Sequence, residues 1–472
     1  MTLQDLLCIE DDPAFVAIRC PDTGVLAWPT LREDVIRLVM TDRFYGAEPL
    51  VDTGRKVSAV AVGRAAARAA LANLRVRPRR SPVLLWASGA GLVVRDGVSF
   101  NRYIDHFADA LPGRTWAIEG LFGDQWPAAP RHNRRLSFTA PYKFAVAVAA
   151  RARIRPRHRR LASRLVELAA TRADKILDWR LSPERRRYLE GRCALRLASH
   201  TLQWLWLTRW LGKVRPRLLI VEQACYPLMA AYNAAARDAG VTVAEFQHGI
   251  VTRGTEAYNV APTLAASDAY RRTQPHAFLG YGAWGNQQFN APVERVVIGN
   301  PHRELLLRGV SPHDDRRDVV VLGEGFETEL YFDLCARLAR QLPEGLRLVF
   351  RPHPIQRRQV FAMKPPDGVV IDREIDIYQT LPRADAVIGE VSTALFDSIG
   401  LARRIFVWST AKSLWGLPNH PFATFETPEE FGEKVRDPDH GVASVTDVDE
   451  FWAPDWRSRF TSYVESITEA SR

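Results

Sequence analysis

Arg347–Gln359 reads RLVFRPHPIQRRQ and Ala384–Trp408 reads ADAVIGEVSTALFDSIGLARRIFVW. These two runs decide the fold. The apolar run Leu346–Phe350 ends on Arg351-Pro352-His353-Pro354. The run Ala384–Ile388 ends on Gly389-Glu390-Val391-Ser392-Thr393 and passes at once into a helical pattern, and Ile405–Trp408 follows that helix. Strand, polar turn, helix and strand in this order form the βαβ unit of a parallel sheet. Such sheets bind ligands beyond the carboxyl ends of their strands. Arg351, His353, Ser392 and Thr393 fall at those ends.

Working back along the chain, Val319–Leu322 opens this second α/β unit and runs into Gly323-Glu324-Gly325. A helix is expected over about 327–342. Before it, SPHDDRRD (Ser311–Asp318) concentrates charge and reads as an interdomain linker. A further βαβ unit precedes the linker. Arg217–Val221 leads into Glu222, a helix runs from about Pro227 to Ala239 with Gly240 as its cap, and Val241–Phe246 ends on Gln247-His248-Gly249. Ala277–Tyr281 and Arg295–Ile298 read as strands, the second ending in Gly299-Asn300-Pro301. Pro82–Trp86 reads as a strand followed by Ala87-Ser88-Gly89-Ala90-Gly91 and a helix over about 101–111. That glycine-rich turn admits a ligand to the backbone or simply closes tightly, and both readings stay open.

The N-terminal 80 residues read as an elaboration: a hairpin over 14–28 around Pro21-Asp22-Thr23-Gly24, then helices over about 30–41 and 57–75. Residues 143–212 read as a helical insertion. Its first part is a basic run from Lys143 to Arg160, and its later part is LQWLWLTRWLGK with Trp204, Trp206 and Trp210. This is the composition of an interfacial membrane anchor and equally that of a solvated basic face beside a core helix. Helices are expected at about 428–437 and 450–471. The domain plan is therefore 1–310, a linker at 311–318, a second domain over 319–445, and a terminal helix in 446–472 that packs back on the first domain.

Composition is that of a globular chain, with 472 residues, 47% apolar and 25% charged, and a net charge of +10 points to acidic partners. The five cysteines are scattered without CxxC spacing, which argues against a disulfide framework or zinc site and for a reducing compartment. The acidic N-terminus lacks the pattern of a signal peptide, and no apolar run approaches the ~20 residues of a membrane span. The expected location is cytoplasmic, peripheral at the inner face of the plasma membrane. RNP-like aromatic spacing and helix-turn-helix cues are absent, so no nucleic-acid partner is expected.

The order FQHGIV, GNP, RPHP and EVST resembles the GT-B group of bacterial surface and capsule polysaccharide transferases, over roughly residues 216–410. Capsule polysaccharide biosynthesis proteins, bacterial polysialyltransferases and CDP-glycerol glycerophosphotransferases belong to this group. The resemblance implies an α/β, GT-B-like fold: two Rossmann-like domains facing across a cleft. It implies that His353 and Pro354 hold the phosphates of a nucleotide-activated donor, with Ser392 and Thr393 beside them. A helix N-terminus suits that role, Arg351 could add a bidentate contact, and Glu390 would face ribose or base. His248 takes the place of the group's base, with a pKa range suited to deprotonating a hydroxyl. Glu222 is the alternative base. Gln247, Gly249, Ser88, Gly89, Asn300, Glu324 and Gly325 are further cleft candidates. Gln247 stands where the glycerophosphotransferases carry Trp.

With no DxD motif in a strand-end context, no metal and no cofactor are expected, and leaving-group charge falls to side chains and amides. The expected reaction transfers a sugar or polyol phosphate from the donor to a polysaccharide or lipid-linked acceptor. Two alternatives remain: a nucleotide-sugar epimerase or hydrolase of the same fold, and a non-catalytic scaffold in a membrane-associated assembly.

Overall fold

The computed structural model describes residues 2–45, 58–122, 125–325, 327–442 and 447–469. In the first half the strands are β1 (Val83–Ala87), β2 (Leu92–Arg95), β3 (Val98–Asn101), β4 (Thr115–Glu119), β5 (Leu136–Phe138), β6 (Leu218–Glu222), β7 (Thr242–Phe246), β8 (Ala277–Gly280) and β9 (Glu294–Val297). In the second half they are β10 (Asp318–Leu322), β11 (Arg347–Arg351), β12 (Val369–Ile371), β13 (Ala384–Gly389), β14 (Arg404–Trp408) and β15 (Ala423–Phe425). One sheet runs β5-β4-β1-β6-β7-β8-β9 and the other β12-β11-β10-β13-β14-β15. Every pairing in both is parallel. Central strands such as β1, β6, β10 and β13 are buried along their whole length. Sequences like VLLWA and LLIV are continuous apolar runs because helices cover both faces.

Each sheet starts in its middle, winds outward, then returns past its first strand. The reversals fall between β1 and β6 and between β10 and β13. These are the switch points of two doubly wound, Rossmann-like domains, as the sequence led us to expect. The carboxyl ends of the two sheets face each other. Ile250 N–H, just after β7, donates to Thr393 Oγ1, just after β13, at 3.2 Å. Below that contact the domains share an apolar seam, with Trp284 packed on Phe396 and Tyr281 on Trp452.

Several local expectations are corrected. Residues 14–28 do not form a hairpin. Asp12 caps a short helix, Pro13–Ala17, with Pro at its first turn, and only the single bridge Arg19–Leu26 remains. Between β1 and the helix Asp105–Ala110 the chain inserts the antiparallel hairpin β2–β3, where the sequence reading has only a turn. Asp318 is the first residue of β10 rather than linker, and it pairs with Arg347 of β11. The expected boundary at 445/446 lies outside the described residues. The terminal helix Trp456–Glu469 packs Trp456, Phe460 and Val464 into the first sheet's core with Leu85, Phe107 and Ile220.

The helical insertion comprises Ala140–Ala152, Pro156–Leu177 and Pro183–Val214. Its tryptophans are not at a free surface. Trp206 stacks on Tyr142 with centroids 4.2 Å apart and touches Trp86 of β1, and Trp204 and Trp210 are partly buried beside it. Their rings cover the outer face of the first sheet, as in the core-helix reading of this segment. Within the basic run, Arg157 and His158 turn to Asp22.

Candidate active site

On the first domain the switch point belongs to Glu222, at the end of β6. It accepts the Ser88 N–H at 2.6 Å from the neighbouring end of β1. Burial raises its pKa, opposed by the Ser88 bonds and by the cations Lys143 and Arg102. The glycines of the following turn serve backbone packing. A Cβ on Gly89 would lie 2.7 Å from the Gly120 carbonyl, and one on Gly91 2.4 Å from the Tyr103 ring. The turn thus packs tightly against the end of β4 and the residues after β3. Asn300 Oδ1 caps the helix Pro301–Leu306 through the amides of His302 and Arg303.

His248 sits one strand over, past β7, between the rings of Tyr103 and Tyr226. Burial, helped by Arg102, lowers its pKa to about 4, so the imidazole is neutral near pH 7. Its Nδ1 has no hydrogen-bond partner and lies 3.8 Å from Oε1 of Glu245, beyond hydrogen-bond reach. Glu245 is wholly buried on β7, receives Tyr258 O–H and Cys225 N–H, and has a pKa pushed up to about 7 by that burial. Gln247 shapes the turn rather than facing a ligand. Its Oε1 accepts from Tyr281 N–H at 2.7 Å and its Nε2 donates to the Gly249 carbonyl at 2.8 Å. Gly249 does not have positive φ; a Cβ there would simply touch Thr393 Oγ1 at 3.6 Å.

The second domain brings its candidates together but saturates most of them. Arg351 is buried, and its Nη1 is held by Asp372, by Thr380 Oγ1 at 3.0 Å and by the Glu374 carbonyl. These bonds commit its Nη1 to the loop after β12, which covers the strand end. Glu390 is 1% exposed and accepts from Tyr331 O–H at 3.0 Å and from Thr410, with Lys412 Nζ at 3.5 Å. It faces its own domain rather than a ribose. The helix after Ser392 has only five residues, Thr393–Asp397, so little macrodipole stands behind it. Ser392 caps Ala394 N–H and Thr393 reaches across to Ile250.

What remains is the pair of loops around His353. Gln356, buried below the turn, accepts both His353 N–H (3.0 Å) and Gly325 N–H (3.2 Å), tying the two loops together. Gly325 has φ +98°, and a Cβ there would lie 3.1 Å from His353 Nδ1, so only glycine lets the loops close this far. His353 Nδ1 accepts from Ile355 N–H at 3.3 Å, leaving Nε2 as the ring's donor in the neutral form. Burial lowers the His353 pKa, with Arg357 and Arg102 adding to the effect. Pro354 is exposed beside it. Glu324, on the far side of Gly325, accepts Val391 N–H at 2.8 Å; burial and the Glu390 carboxylate push its pKa up to about 8.

Three functional groups were not singled out in the sequence. Arg102 directly follows β3 and is exposed on the first domain. Its charge depresses His248 and His302 on one side and His353 on the other, while its side chain is anchored on Tyr103 O–H at 3.1 Å. Glu245 was legible only as a lone carboxylate in the apolar run VTVAEF. Gln356 carried no signal. Among the described residues no group of three or more His, Cys, Asp or Glu side chains is placed to hold a metal ion. A cavity of about 520 Å³ is lined by Arg253, Phe289, Trp415 and residues of the N-terminal helix, and includes none of these groups.

No protein-family model and no curated protein matches the chain. Among solved structures it is similar to a variant of the wall teichoic acid polymerase TagF, at 11% identity over 87% of this chain and 94% of that one, with a TM-score of 0.44. It is similar to the UDP-GlcNAc 2-epimerase from Methanocaldococcus jannaschii, at 8% identity over 81% and 99%, with a TM-score of 0.44. It is also similar to the calicheamicin glycosyltransferase CalG4, at 12% identity over 83% and 95%, with a TM-score of 0.42.

Proposed function

We propose that the chain is a GT-B transferase that moves a sugar or polyol phosphate from a nucleotide-activated donor to a hydroxyl of a polysaccharide or lipid-linked acceptor. One observation carries this reading: the carboxyl ends of two parallel sheets meet at Ile250 N–H and Thr393 Oγ1, 3.2 Å apart, with His248 two residues before the first and the His353 turn on the same end of the second sheet. Facing strand ends that each carry a neutral imidazole, with the charge of Arg102 felt by both, suit a phosphate-bearing ligand that bridges the domains. The second domain holds the donor in the turn tied by Gln356, with His353 Nε2–H and Arg102 meeting its phosphates. The acceptor oxygen attacks the transferred group, the bond to the donor's phosphate oxygen breaks, and that phosphate leaves with the electron pair. His248 Nε2 takes the acceptor proton. Protonation would then turn Nδ1–H toward Glu245 as its counter-charge, in the manner of other imidazole–carboxylate pairs.

Glu222 is the weaker base. Its carboxylate is committed to the Ser88 amide, whereas His248 has an unpartnered ring nitrogen. A thermal-shift panel of CMP, CDP, UDP and GDP tests donor binding, since a ligand of the native state raises apparent stability. Donor turnover by His248→Ala and His353→Ala tests the chemistry. Unchanged rates in both variants would overturn the site.

A further inference from the structure

The helix Ala59–Leu74, AVAVGRAAARAALANL, buries Ala65, Ala66 and Ala69 against the molecule. Val60, Arg64, Ala67, Leu71 and Leu74 recur at three- and four-residue steps, so they stack along its opposite face. That face is solvent-exposed, with Val60 at 62%, Leu71 at 61% and Leu74 at 80%. The adjoining helix, Ala140–Ala152, continues the apolar surface. A Cβ on Gly63 would meet the Phe144 ring at 4.0 Å, and Phe144 and Val148 are themselves 41% and 57% exposed. Five of the sixteen large apolar side chains exposed among the described residues thus gather on two touching helices. Scattered exposed apolar residues need no explanation, but a contiguous patch of them marks an interaction surface.

Charge says which partner fits. From Ser58 to Arg95 the chain has no acidic residue, and Arg64, Arg75, Arg77, Arg79 and Arg80 have no carboxylate partner among the described residues. From Gln125 to Val166, around the second helix, there is again no acidic residue. Apolar side chains on one helical face, flanked by unpaired arginines, are the composition of a helix lying in the plane of an anionic bilayer. A protein partner or a second copy would have to answer this charge with acids, which the patch itself lacks. Among the described residues no helix is long and apolar enough to cross a membrane.

We infer that the face formed by helices 59–74 and 140–152 docks the protein on an anionic lipid surface. The same second helix links that face to the proposed site. Its Lys143 lies where a Cβ on Gly120 would be 3.2 Å from Nζ, and its charge acts on Glu222 at the first switch point. A docked molecule therefore presents one end of the cleft toward the bilayer, where a lipid-linked acceptor would emerge. That last consequence rests on the transferase reading; the docking itself does not.

The test is flotation of the full chain with vesicles of phosphatidylcholine alone or mixed with phosphatidylglycerol, with nucleotide binding followed in parallel by calorimetry. The expected result is binding to the anionic vesicles only, weakened by salt. It should fall by about tenfold or more in Leu71→Glu/Leu74→Glu and in Arg75→Gln/Arg77→Gln, with melting temperature unchanged. A surface control elsewhere, Leu414→Glu, should float like the parent. No flotation of the parent, or equal flotation of the patch variants, would overturn the proposal. So would a dimer in light scattering that Leu71→Glu/Leu74→Glu dissolves. Vesicle binding without nucleotide binding would leave docking standing and remove the transferase reading; the reverse result would do the opposite.

Discussion

The two switch points share a topology and differ in chemistry. At the first, Glu222 is tied to one amide, His248 has an unpartnered ring nitrogen, and Arg102 rests on the hydroxyl and ring of Tyr103. At the second, Glu390, Arg351 and Gln356 are all bonded within their own domain. Buried polar groups are normally satisfied, and a satisfied network is rigid. The second domain is therefore built as a fixed cradle, and the first keeps groups whose protonation and pairing can change. The proposed transfer takes its base from the side with unfinished bonds.

The strongest test of that asymmetry is His248→Ala. If the first domain supplies the base, turnover with saturating donor falls by about 10²–10⁴, while the nucleotide still raises the melting temperature. Loss of nucleotide binding together with turnover would move His248 into the cradle and erase the distinction.

Arg351→Ala probes the opposite side. A phosphate ligand would cost donor affinity and leave stability nearly intact. A structural pair leaves Asp372 buried without its cation, at about 3–5 kcal/mol. A large drop in the urea midpoint is expected, and its absence would return Arg351 to the ligand.

Glu324→Gln sharpens the account of the cradle through pH. A carboxyl whose pKa is raised to about 8 on folding holds a proton that the unfolded chain has released above about 4.5. Its presence therefore costs stability progressively as pH rises from 4.5 to 8. Glutamine mimics the protonated form and still accepts from Val391 N–H. The variant should melt like the parent at pH 4 and a few degrees higher at pH 8. Equal melting at both would show that Glu324 does not share its burial with Glu390.

How much of this was legible in the sequence follows from distance along the chain. Strand ends are set by local apolar runs, so His248, His353 and both βαβ units could be placed from neighbours alone. Arg351 and Glu390 were located correctly, but their bonds to Asp372 and Thr410 were not legible, because those residues reach them only when β12 and β14 dock. Arg102 was out of reach for another reason: the hairpin β2–β3 interrupts a pattern that otherwise reads strand, turn, helix. The tryptophans of 204–210 and the leucines of the alanine-rich helix 59–74 sit where neither composition alone would place them. Aromatic residues look interfacial in isolation, yet here they fill the cover of a sheet, whereas an alanine-rich helix leaves its few leucines outside.

The smallest effect is the most discriminating. Arg102→Gln removes a positive neighbour of His248, which favours the protonated ring and raises its pKa from about 4. Burial, the larger cause, stays, so the return toward the ordinary ~6.5 is partial. The acid limb of kcat/KM should move upward by a fraction of a unit, and activity at pH 5 should fall relative to pH 8. Donor phosphates neutralise the same guanidinium in the parent, so the kcat limb, which reports the loaded enzyme, should already lie above the kcat/KM limb. In Arg102→Gln that gap should narrow. A nucleoside diphosphate titrated against the His248 Hε1 resonance reads the same shift without turnover. A gap that survives the substitution would mean that some other group couples the cradle to the base.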